Sequence, residues 1–461
     1  MKKKLDIKKV RSQSYACILA VKDILPIVFI HKKPADKIIA SFFKKNKKYG
    51  SRDRRVIYEV IFSIFRWYGW IKILAPEIDE LSDEKGLTKK HDAILYKIAF
   101  IAALLDNNKN IPISIINVWK SELGIKSYYP EHAEKVEDDK FIPDLKIIDY
   151  LKETFDVNKK LKLDKLVPEW FSSELSKNID LRRLIGWYQT RPPIWLRSNS
   201  LNNNFLETEL ARNEIRFSTH ETIQKAICIK EAKVNLYSLD SFSKGIIEIQ
   251  DLASQIIGLV CKPKEGERWW DPCAGAGGKS LQLSSIMHNK GRIIAGDIRA
   301  YKLDDLKKRA KRAKRMNIEC REWDGKALRS NKRYKYDGVL VDAPCTCSGT
   351  WRRNPDARWR LSDTESAEMA SLQMKILQNA ATGVKPSGVL VYATCSVLKA
   401  ENLDLVKKFL LNNKNFVMEP FTNPLTNATT KGYLQIYPWD GNCDAMFVAR
   451  FRKKEKSNAS E

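Results

Sequence analysis

Strand-like runs alternate with helical segments from residue 246 onward, and this order constrains the fold more than any other feature of the chain. The runs are 268–271, 292–297, 319–324, 338–342 and 388–394. Such alternation is typical of a doubly wound parallel sheet with helices on both faces. Four runs end in aspartate, namely Asp271, Asp297, Asp324 and Asp342. Since open α/β sheets bind ligands at the carboxyl ends of their strands, the sequence predicts a ligand site at an acidic edge.

The rest of the chain has different patterns of apolar residues and turns, and these differences predict a multidomain protein. Apolar residues spaced three and four apart follow Ser51 and Asp92, and they predict two helices that these residues cap at the N-terminus. The N-terminal part is therefore expected to be all-α, and the middle part, with proline-rich turns and short β-like runs, to be a small α+β domain. Strands at 433–437 and 445–451 are expected to complete the sheet as an antiparallel pair. The predicted divisions are 1–163, 164–245, 246–452 and a disordered tail at 453–461.

The charge of the chain favours a polyanionic partner. Its 82 lysines and arginines outnumber 56 acidic residues, which gives a net charge of +26. Clustered basic stretches at 44–55 and 301–315 make nucleic acid the expected partner. For 44–55, a phosphate contact and a solvated loop are equally compatible with the sequence. For 301–315, a solvated helix surface is favoured.

Cysteine usage and hydropathy bear on the compartment. The nine cysteines include no CxxC pair, and the five histidines lack ligand spacing, so we expect a reducing, cytoplasmic setting and no metal. An apolar stretch at 16–30 is interrupted by Lys22, Asp23 and Pro26. We therefore expect neither a signal peptide nor a membrane span, which needs about 20 apolar residues. A monomer is expected.

A glycine-rich turn, Asp271-Pro272-Cys273-Ala274-Gly275-Ala276-Gly277-Gly278-Lys279-Ser280, follows the first strand. It nearly matches the phosphate loop GxxxxGK[ST], but Cys273 stands in place of the first glycine, and a β-carbon disfavours the backbone that wraps a phosphate. It also departs from the dinucleotide motif GxGxxG, because Ser280 replaces the last glycine. The favoured interpretation is an S-adenosylmethionine (SAM) site, in which the turn supports the methionine part of the cofactor.

Carboxylates at successive strand ends fit the other parts of SAM. Asp297 is placed to bind the ribose hydroxyls, and Asp324 to accept a hydrogen bond from the adenine amino group. Each aspartate alone is more typical of a helix cap or a turn. The predicted cofactor-binding residues are Cys273, Ala274, Gly275, Ala276, Gly277, Gly278, Lys279, Asp297, Asp324 and Asp342.

Two cysteines follow neighbouring strands, Cys345 in Asp342-Ala343-Pro344-Cys345 and Cys395 in Tyr392-Ala393-Thr394-Cys395-Ser396. Thiols beside a methyl donor suit cytosine, because its carbon 5 becomes nucleophilic only after a thiolate adds at carbon 6. An acid near ring nitrogen 3 helps the addition, and a base must later remove the carbon 5 proton. From the residues alone, either thiol is a candidate for the attack. Cys347 suggests a metal pair or a redox switch, but the sequence indicates no third ligand.

Positive charge beside the first of these cysteines serves two purposes. Arg352 and Arg353 can lower the pKa of a thiol, and they are the predicted substrate-binding residues. Trp351 and Trp359 lie close by in the sequence, and aromatic and guanidinium planes support bases next to an unstacked target base. The segment is therefore the predicted RNA contact.

Three motifs resemble those of the RsmB (Sun/Fmu) and NOP-type RNA cytosine-5 methyltransferases. They are Cys273-Ala274-Gly275-Ala276-Gly277-Gly278-Lys279, Asp342-Ala343-Pro344-Cys345 with Gly349-Thr350-Trp351-Arg352-Arg353-Asn354-Pro355-Asp356, and Tyr392-Ala393-Thr394-Cys395-Ser396. Ile249-Gln250-Asp251-Leu252-Ala253-Ser254-Gln255 resembles the entry to the family's catalytic domain, which has a Rossmann-like fold. Gly50-Ser51-Arg52-Asp53-Arg54-Arg55, with Phe65-Arg66, resembles the NusB-like RNA-binding domain of the bacterial branch.

The resemblance implies an order for the two thiols. In the RNA family, Cys395 would attack and Cys345 would assist release of the product, whereas in DNA cytosine-5 methyltransferases Cys345 would attack. Asp342 would hold the cytosine ring, and Lys279 would lie near the cofactor or Asp342. Two departures stand out, because Ala276 replaces the family's usual proline and Cys347 replaces a common glycine.

The resemblance also implies a substrate. Small-subunit ribosomal RNA is expected by default, because the bacterial branch shares the NusB-like start. Transfer RNA is the alternative substrate. An idle RNA-binding assembly factor that keeps the fold is the alternative function, and the intact Asp342, Cys345 and Cys395 argue against it.

Overall fold

A computed structural model describes residues 7–82, 91–129, 143–200 and 203–455 of the chain. These residues form two compact units. The first contains Met1–Ser173, Lys177–Arg191 and Trp351–Asp363, and the second contains Glu174–Ser176, Pro192–Thr350 and Thr364–Glu461. The division into three domains at 163 and 245 stays a prediction.

The first unit is helical, as predicted. Its main helices are α1 (Ile7–His31), α2 (Ala35–Lys45), α3 (Ser51–Leu74), α4 (Asp92–Asp106), α5 (Ile113–Glu122), α6 (Leu145–Thr154) and α7 (Leu181–Tyr188). The two helices predicted from the apolar spacing are present, but Ser51 and Asp92 do not cap them. Each is the first residue of its helix, and the N-cap positions are Gly50 and His91. A buried ion pair joins α3 to the end of α4, with Arg66 Nη1 2.9 Å from Asp106 Oδ1. Whether this unit is NusB-like stays a prediction.

Helix α1 corrects the expectation that no segment approaches the length of a membrane span. Its 25 residues are long and apolar enough to cross a membrane by length and composition, with a mean hydropathy of 1.6 over the best window. Half of that window is buried inside the protein, including Ile18, Val21, Ile24 and Val28. A helix in the centre of a helical unit is apolar on most sides for the same reason as a spanning helix, namely removal from water.

A four-stranded antiparallel sheet opens the second unit. Its strands are β1 (Ile194–Ser198), β2 (Arg216–Thr219), β3 (Ala226–Glu231) and β4 (Ile247–Ile249), in the order β2-β3-β1-β4. Helices α8 (Asn204–Arg212) and α9 (Asp240–Ser243) accompany it. Its core contains Leu196, Leu206, Leu210, Ile227 and Ile247. The middle region therefore forms one sheet. The β-like run expected at 233–237 is not one of its strands, because this segment is a loop that leads into a short 3-10 helix, Leu236–Ser238.

An eight-stranded sheet forms the rest of the second unit. Its strands are β5 (Arg268–Asp271), β6 (Arg292–Asp297), β7 (Ile318–Glu322), β8 (Tyr336–Asp342), β9 (Val384–Thr394), β10 (Phe416–Met418), β11 (Tyr433–Ile436) and β12 (Met446–Lys453). Strands β9-β8-β5-β6-β7 are parallel, and β12 pairs antiparallel with β9 and with both β10 and β11. The predicted doubly wound sheet and its antiparallel closing pair are present.

Helices connect these strands. They are α10 (Leu252–Cys261), α11 (Gly278–Ile286), α12 (Ala300–Arg312), α13 (Ala357–Arg360), α14 (Glu365–Ala381) and α15 (Leu403–Asn412), of which α13 belongs to the first unit. The strand order reverses between β5 and β8, which is where open sheets form a ligand crevice. Strand β12 includes Lys453, so the predicted tail begins inside a strand, and 456–461 lie outside the described residues.

The segment Trp351–Asp363 packs within the helical unit. Trp351 is fully buried, with its ring centroid 4.6 Å from that of Phe171. Arg358, also buried, donates from Nη1 to the Leu166 carbonyl at 2.9 Å, and Trp359 donates to the Phe65 carbonyl at 2.7 Å. The residues between the Pro-Cys loop and α14 therefore help to build the core of the first unit.

Candidate active site

The turn between β5 and α11 requires glycine at two positions. Gly275 and Gly277 have φ values of +53° and +82°, in the left-handed region that side chains disfavour. A β-carbon on Gly277 would lie 2.3 Å from Leu306 of α12, whereas the space beside Gly275 is open to 4 Å. Leu306 thus packs closely against the turn at Gly277, and the open space beside Gly275 leaves room for a ligand.

Asp297, at the end of β6, lies directly beside this turn. Its carboxylate is almost fully buried and accepts a hydrogen bond from the Gly275 amide at 2.9 Å. Burial raises the pKa of Asp297, but hydrogen bonds from Arg299 and Gly275 lower it by more, so that the pKa lies below its ordinary value. The carboxylate is therefore ionised and linked to the cofactor turn.

Asp324 lies farther out than predicted. Strand β7 ends at Glu322, so Asp324 belongs to the following loop, where it accepts from the Lys326 amide at 3.1 Å. That loop and Ile298 line a cavity of about 490 Å³. Trp323 and Leu328 contribute apolar surface to the same cavity.

These features test whether SAM fits. The space beside Gly275 would be filled by any β-carbon, and the ionised Asp297 has the chemistry to accept from ribose hydroxyls. The cavity lined by Ile298, Trp323 and Asp324 offers apolar walls and a carboxylate for a flat base. The residues at this edge of the sheet fit the cofactor.

Lys279 and Asp342 form an ion pair inside the site. Lys279 Nζ lies 2.7 Å from Asp342 Oδ2, and the Lys279 side chain is only 10% exposed. Burial lowers the pKa of Lys279, but the negative charge and hydrogen bond of Asp342 raise it above its ordinary value. Of the two positions predicted for Lys279, the structure shows the one beside Asp342. The pair links the start of α11 to the end of β8.

The two predicted cysteines meet. Strands β8 and β9 are neighbours with Asp342 opposite Ala393, so the residues after them lie at one edge of the sheet. Cys345 Sγ lies 3.3 Å from Cys395 Sγ. No disulfide joins these or any of the other seven cysteines. The two thiols are therefore close enough to act on the same substrate atom in succession.

Their contact affects the two pKa values in opposite directions. The hydrogen bond from Cys345 lowers the pKa of Cys395, although contact with Cys347 and burial leave it well above the ordinary value. Hydrogen bonding to Cys347 and to Cys395, together with burial, raises the pKa of Cys345. Of the pair, Cys395 is the thiol whose ionised form the contact favours.

Cys347 is the third thiol of the site. It is exposed, has a left-handed φ of +56°, and donates from Sγ to the Cys345 carbonyl at 3.4 Å. The sulfur atoms of Cys345, Cys347 and Cys395 all lie within 4.8 Å of one another. The expectation that no third ligand accompanies Cys345 and Cys347 is therefore wrong, because β9 brings Cys395 to the same place.

Comparison with known proteins decides the family. A sequence model described as 16S rRNA methyltransferase RsmB/F matches residues 258–452. Ribosomal RNA small subunit methyltransferase B of Enterobacter sp. (strain 638) is 31% identical over 302 residues, which are 63% of this chain and 67% of the relative. The chain belongs to the RsmB/F family. This result confirms the resemblance drawn from the three motifs.

Solved structures share the fold of this chain. The crystal structure of PH0851 matches 95% of this chain and 99% of its own, with a TM-score of 0.70 and 25% identity. NSun6 from Pyrococcus horikoshii, solved with the SAM analogue SFG, shares the fold over 62% of this chain and 97% of its own, with a TM-score of 0.54 and 18% identity. SAM is the cofactor of this methyltransferase family, as expected. The chain spans about two thirds of the length of the curated relatives that it matches.

Glu401 is a site residue of this RsmB/F protein that the sequence did not reveal. Its carboxylate is fully buried and accepts from the Thr346 amide at 2.9 Å, the Thr346 hydroxyl at 2.6 Å and the Gln373 amide at 2.9 Å. It also accepts from the Ser396 hydroxyl. Because Thr346 and Ser396 directly follow the two cysteines, Glu401 ties the two thiol loops together. No local pattern marks a single glutamate for this role.

Two arginines that the sequence did not mark as site residues donate hydrogen bonds to backbone carbonyls of the cofactor turn. Arg309 of α12 donates to the Ala276 carbonyl at 2.8 Å and pairs with Glu248 of β4 at 2.8 Å. Arg197 of β1 donates to the Gly278 carbonyl at 3.0 Å. Part of the basic stretch 301–315 is thus structural rather than a solvated surface.

The predicted substrate contacts of this RsmB/F protein lie in different environments. Arg352 is buried, with Nε 3.1 Å from Thr190 Oγ1 and its guanidinium 4.7 Å from the Trp187 ring centroid. Arg353 is exposed. The RNA role of Arg352 and Arg353 stays a prediction, and it suits Arg353 better because Arg352 is buried whereas Arg353 is exposed.

The contribution of Asp271 to the stability of the protein is expected to fall as the pH rises from about 4 to about 7. Burial, followed by the negative charge of Asp342, raises the pKa of Asp271 from 3.8 to about 7. The folded state therefore holds this proton more tightly than the unfolded chain, and the loss amounts to roughly 4 kcal/mol at about 1.4 kcal/mol per pH unit. Urea unfolding between about pH 4 and pH 8 measures this slope.

Asp271→Asn is the matched variant for this slope. The amide cannot ionise, so the free energy of unfolding of the variant should change less over the same pH range. Asp337→Asn, at a partly exposed carboxylate near the opposite end of β8, serves as the control and should keep the wild-type slope. Parallel pH profiles for Asp271→Asn and the wild type would contradict the role of Asp271.

Proposed function

We propose that this protein methylates carbon 5 of a cytosine in ribosomal RNA. The observation that carries the proposal is the 3.3 Å contact between the sulfur atoms of Cys345 and Cys395, at the strand edge that also bears Asp342. Many methyl transfers need only a bound nucleophile, whereas carbon 5 of cytosine needs a thiol that adds and then leaves. Two thiols in contact suit a reaction with both an addition and an elimination.

In the first step, we assign Cys395 as the nucleophile. Its thiolate forms a bond to carbon 6, and the electrons of the carbon 5–carbon 6 double bond move into the ring. The 3.3 Å contact with Cys345 lowers the pKa of Cys395 and raises that of Cys345, although Cys347 and burial leave the pKa of Cys395 well above its ordinary value; this difference supports the order of the thiols. Asp342, oriented by Lys279 at 2.7 Å, would hold the edge of the cytosine that carries nitrogen 3.

In the second step, the adduct is released. SAM supplies the methyl group that carbon 5 accepts. A base then takes the carbon 5 proton, the electrons of that carbon–hydrogen bond restore the ring double bond, and the bond between carbon 6 and sulfur breaks so that Cys395 leaves as a thiolate. We assign Cys345 to assist this release, because its sulfur lies beside the departing Cys395 sulfur.

The proposal of ribosomal RNA rests on the relatives and on charge. The relatives that the chain matches are named as methyltransferases of small-subunit ribosomal RNA. Exposed basic side chains at Lys44, Lys47, Lys48 and Arg52 suit contacts with phosphates. An enzyme of this kind would act in the cytoplasm, and we propose that it does so as a monomer.

Methyl transfer from tritiated SAM is the direct test. Purified protein with unmodified small-subunit ribosomal RNA should release tritium-labelled RNA, and bisulfite sequencing should show one protected cytosine. Label in transfer RNA alone would indicate the alternative substrate. Absence of label with all RNA classes would indicate an idle assembly factor and contradict the proposal.

A further inference from the structure

We infer that Cys345, Cys347 and Cys395 form a binding site for a thiophilic d¹⁰ metal ion, with Zn²⁺ or Cd²⁺ as the expected class. Among the residues that the structure describes, these three are the one group of potential ligands whose donor atoms lie mutually within 4.8 Å. Thiolates select soft ions of this class and discriminate against Mg²⁺. The motifs assign two of these cysteines to catalysis and assign nothing to the third.

The distances fit a tetrahedral ion. Sulfur atoms bound to zinc at about 2.3 Å in tetrahedral geometry lie about 3.8 Å apart. The pair Cys345 and Cys395 is slightly closer, at 3.3 Å, and no pair of the three is separated by more than 4.8 Å. Side-chain rotations that move the sulfur atoms by a few tenths of an ångström would therefore convert the cluster into a site with three sulfur ligands.

The backbone at Cys347 supports this geometry. Its φ of +56° is unusual for a residue with a β-carbon, and its thiol is held by the Cys345 carbonyl at 3.4 Å. Glycine would suit the same backbone without strain, so the thiol is not required by the fold at this position. The exposure of Cys347 gives an ion access from solvent and leaves a fourth position for water or another ligand.

Metal binding would switch the enzyme off. A metal ion bound to Cys395 occupies the sulfur electron pair that must attack carbon 6, and the ion releases the thiol proton on binding. This consequence rests on the proposed function, since it requires that Cys395 be the nucleophile. The metal site itself does not, because it depends only on the three sulfur atoms.

Cadmium titration of the full-length protein tests the site. Thiolate-to-cadmium absorption in the ultraviolet should saturate at one ion per chain, should be reversed by Zn²⁺ and should be unaffected by Mg²⁺. Cys347→Gly suits the left-handed backbone and should weaken binding by at least about 100-fold, since even the loss of a supporting partner costs 10- to 100-fold. Cys347→Ser, which keeps the side-chain shape, should do the same. Cys320→Ser, a partly buried cysteine outside the cluster, is the matched control and should bind as the wild type does.

Activity separates the two proposals. Without metal, the Cys320→Ser control should transfer methyl groups as the wild type does. One equivalent of Zn²⁺ should inhibit both of these proteins, whereas Cys347→Gly should keep most of its own metal-free rate. Unchanged cadmium affinity in both Cys347 variants would overturn the metal site. Tight cadmium binding that leaves methyl transfer intact would support the site and instead contradict the catalytic role of the thiols.

Discussion

Replacing Cys395 with alanine is expected to reduce methyl transfer by at least about 1,000-fold, because the variant lacks the sulfur that activates carbon 5. Replacing Cys345 is expected to give a different defect. Cys345→Ala retains the nucleophile but lacks the neighbouring thiol, 3.3 Å away, that assists release. An enzyme–RNA adduct should therefore accumulate and survive denaturing electrophoresis. The measurement is a gel of protein incubated with SAM and labelled RNA.

The double variant Cys345→Ala with Cys395→Ala serves as the control for this trap and should form no adduct. Cys261→Ala, at a fully buried thiol in α10, checks that the loss of a cysteine in itself does not trap RNA. An adduct formed by Cys395→Ala alone would reverse the assignment of the two thiols and favour attack by Cys345.

Replacing Glu401 with alanine is expected to lower the free energy of unfolding by about 4 kcal/mol and to abolish activity. The change leaves four buried donors from Thr346, Ser396 and Gln373 without their acceptor. It also unties the loops that carry the two thiols. Urea unfolding measures the stability, and the Cys345→Ala background reports whether Cys395 still attacks RNA.

Two variants make the Glu401 result specific. Glu401→Gln keeps one acceptor oxygen and should lie between the wild type and Glu401→Ala. Asp404→Ala, at an exposed carboxylate on the next helical turn, should change stability by no more than about 0.5 kcal/mol. A wild-type unfolding midpoint for Glu401→Ala would contradict the role of this carboxylate as the tie between the loops.

The predictable parts of this protein are those encoded locally. Strands β5 and β6 have the predicted ends at Asp271 and Asp297, because apolar runs and the turns after them are contiguous in sequence. The meeting of Cys345 and Cys395 also follows from local rules, since parallel neighbouring strands end at the same edge. The glycine turn and the carboxylates at the strand ends already favoured SAM as the cofactor.

The parts that escaped prediction depend on distant partners. Glu401 acquires its role from Thr346, 55 residues earlier, and Arg352 is buried by Thr190, 162 residues away. Neither partner can be read from hydropathy or spacing. Helix α1 is the converse case, because its apolar composition has the same appearance in a protein core as in a membrane span.

The chain path limits how this architecture can be rearranged in evolution. Each compact unit consists of three chain segments, so the chain passes between the units five times. A fragment that starts at residue 246 would carry Trp351 and Arg358 without Phe171 and Leu166, which bury them in the full chain. The helical unit therefore cannot be exchanged or removed as a single continuous domain. A gene that lost its first half would leave an apolar and cationic insertion in the methyltransferase sequence with nothing to cover it.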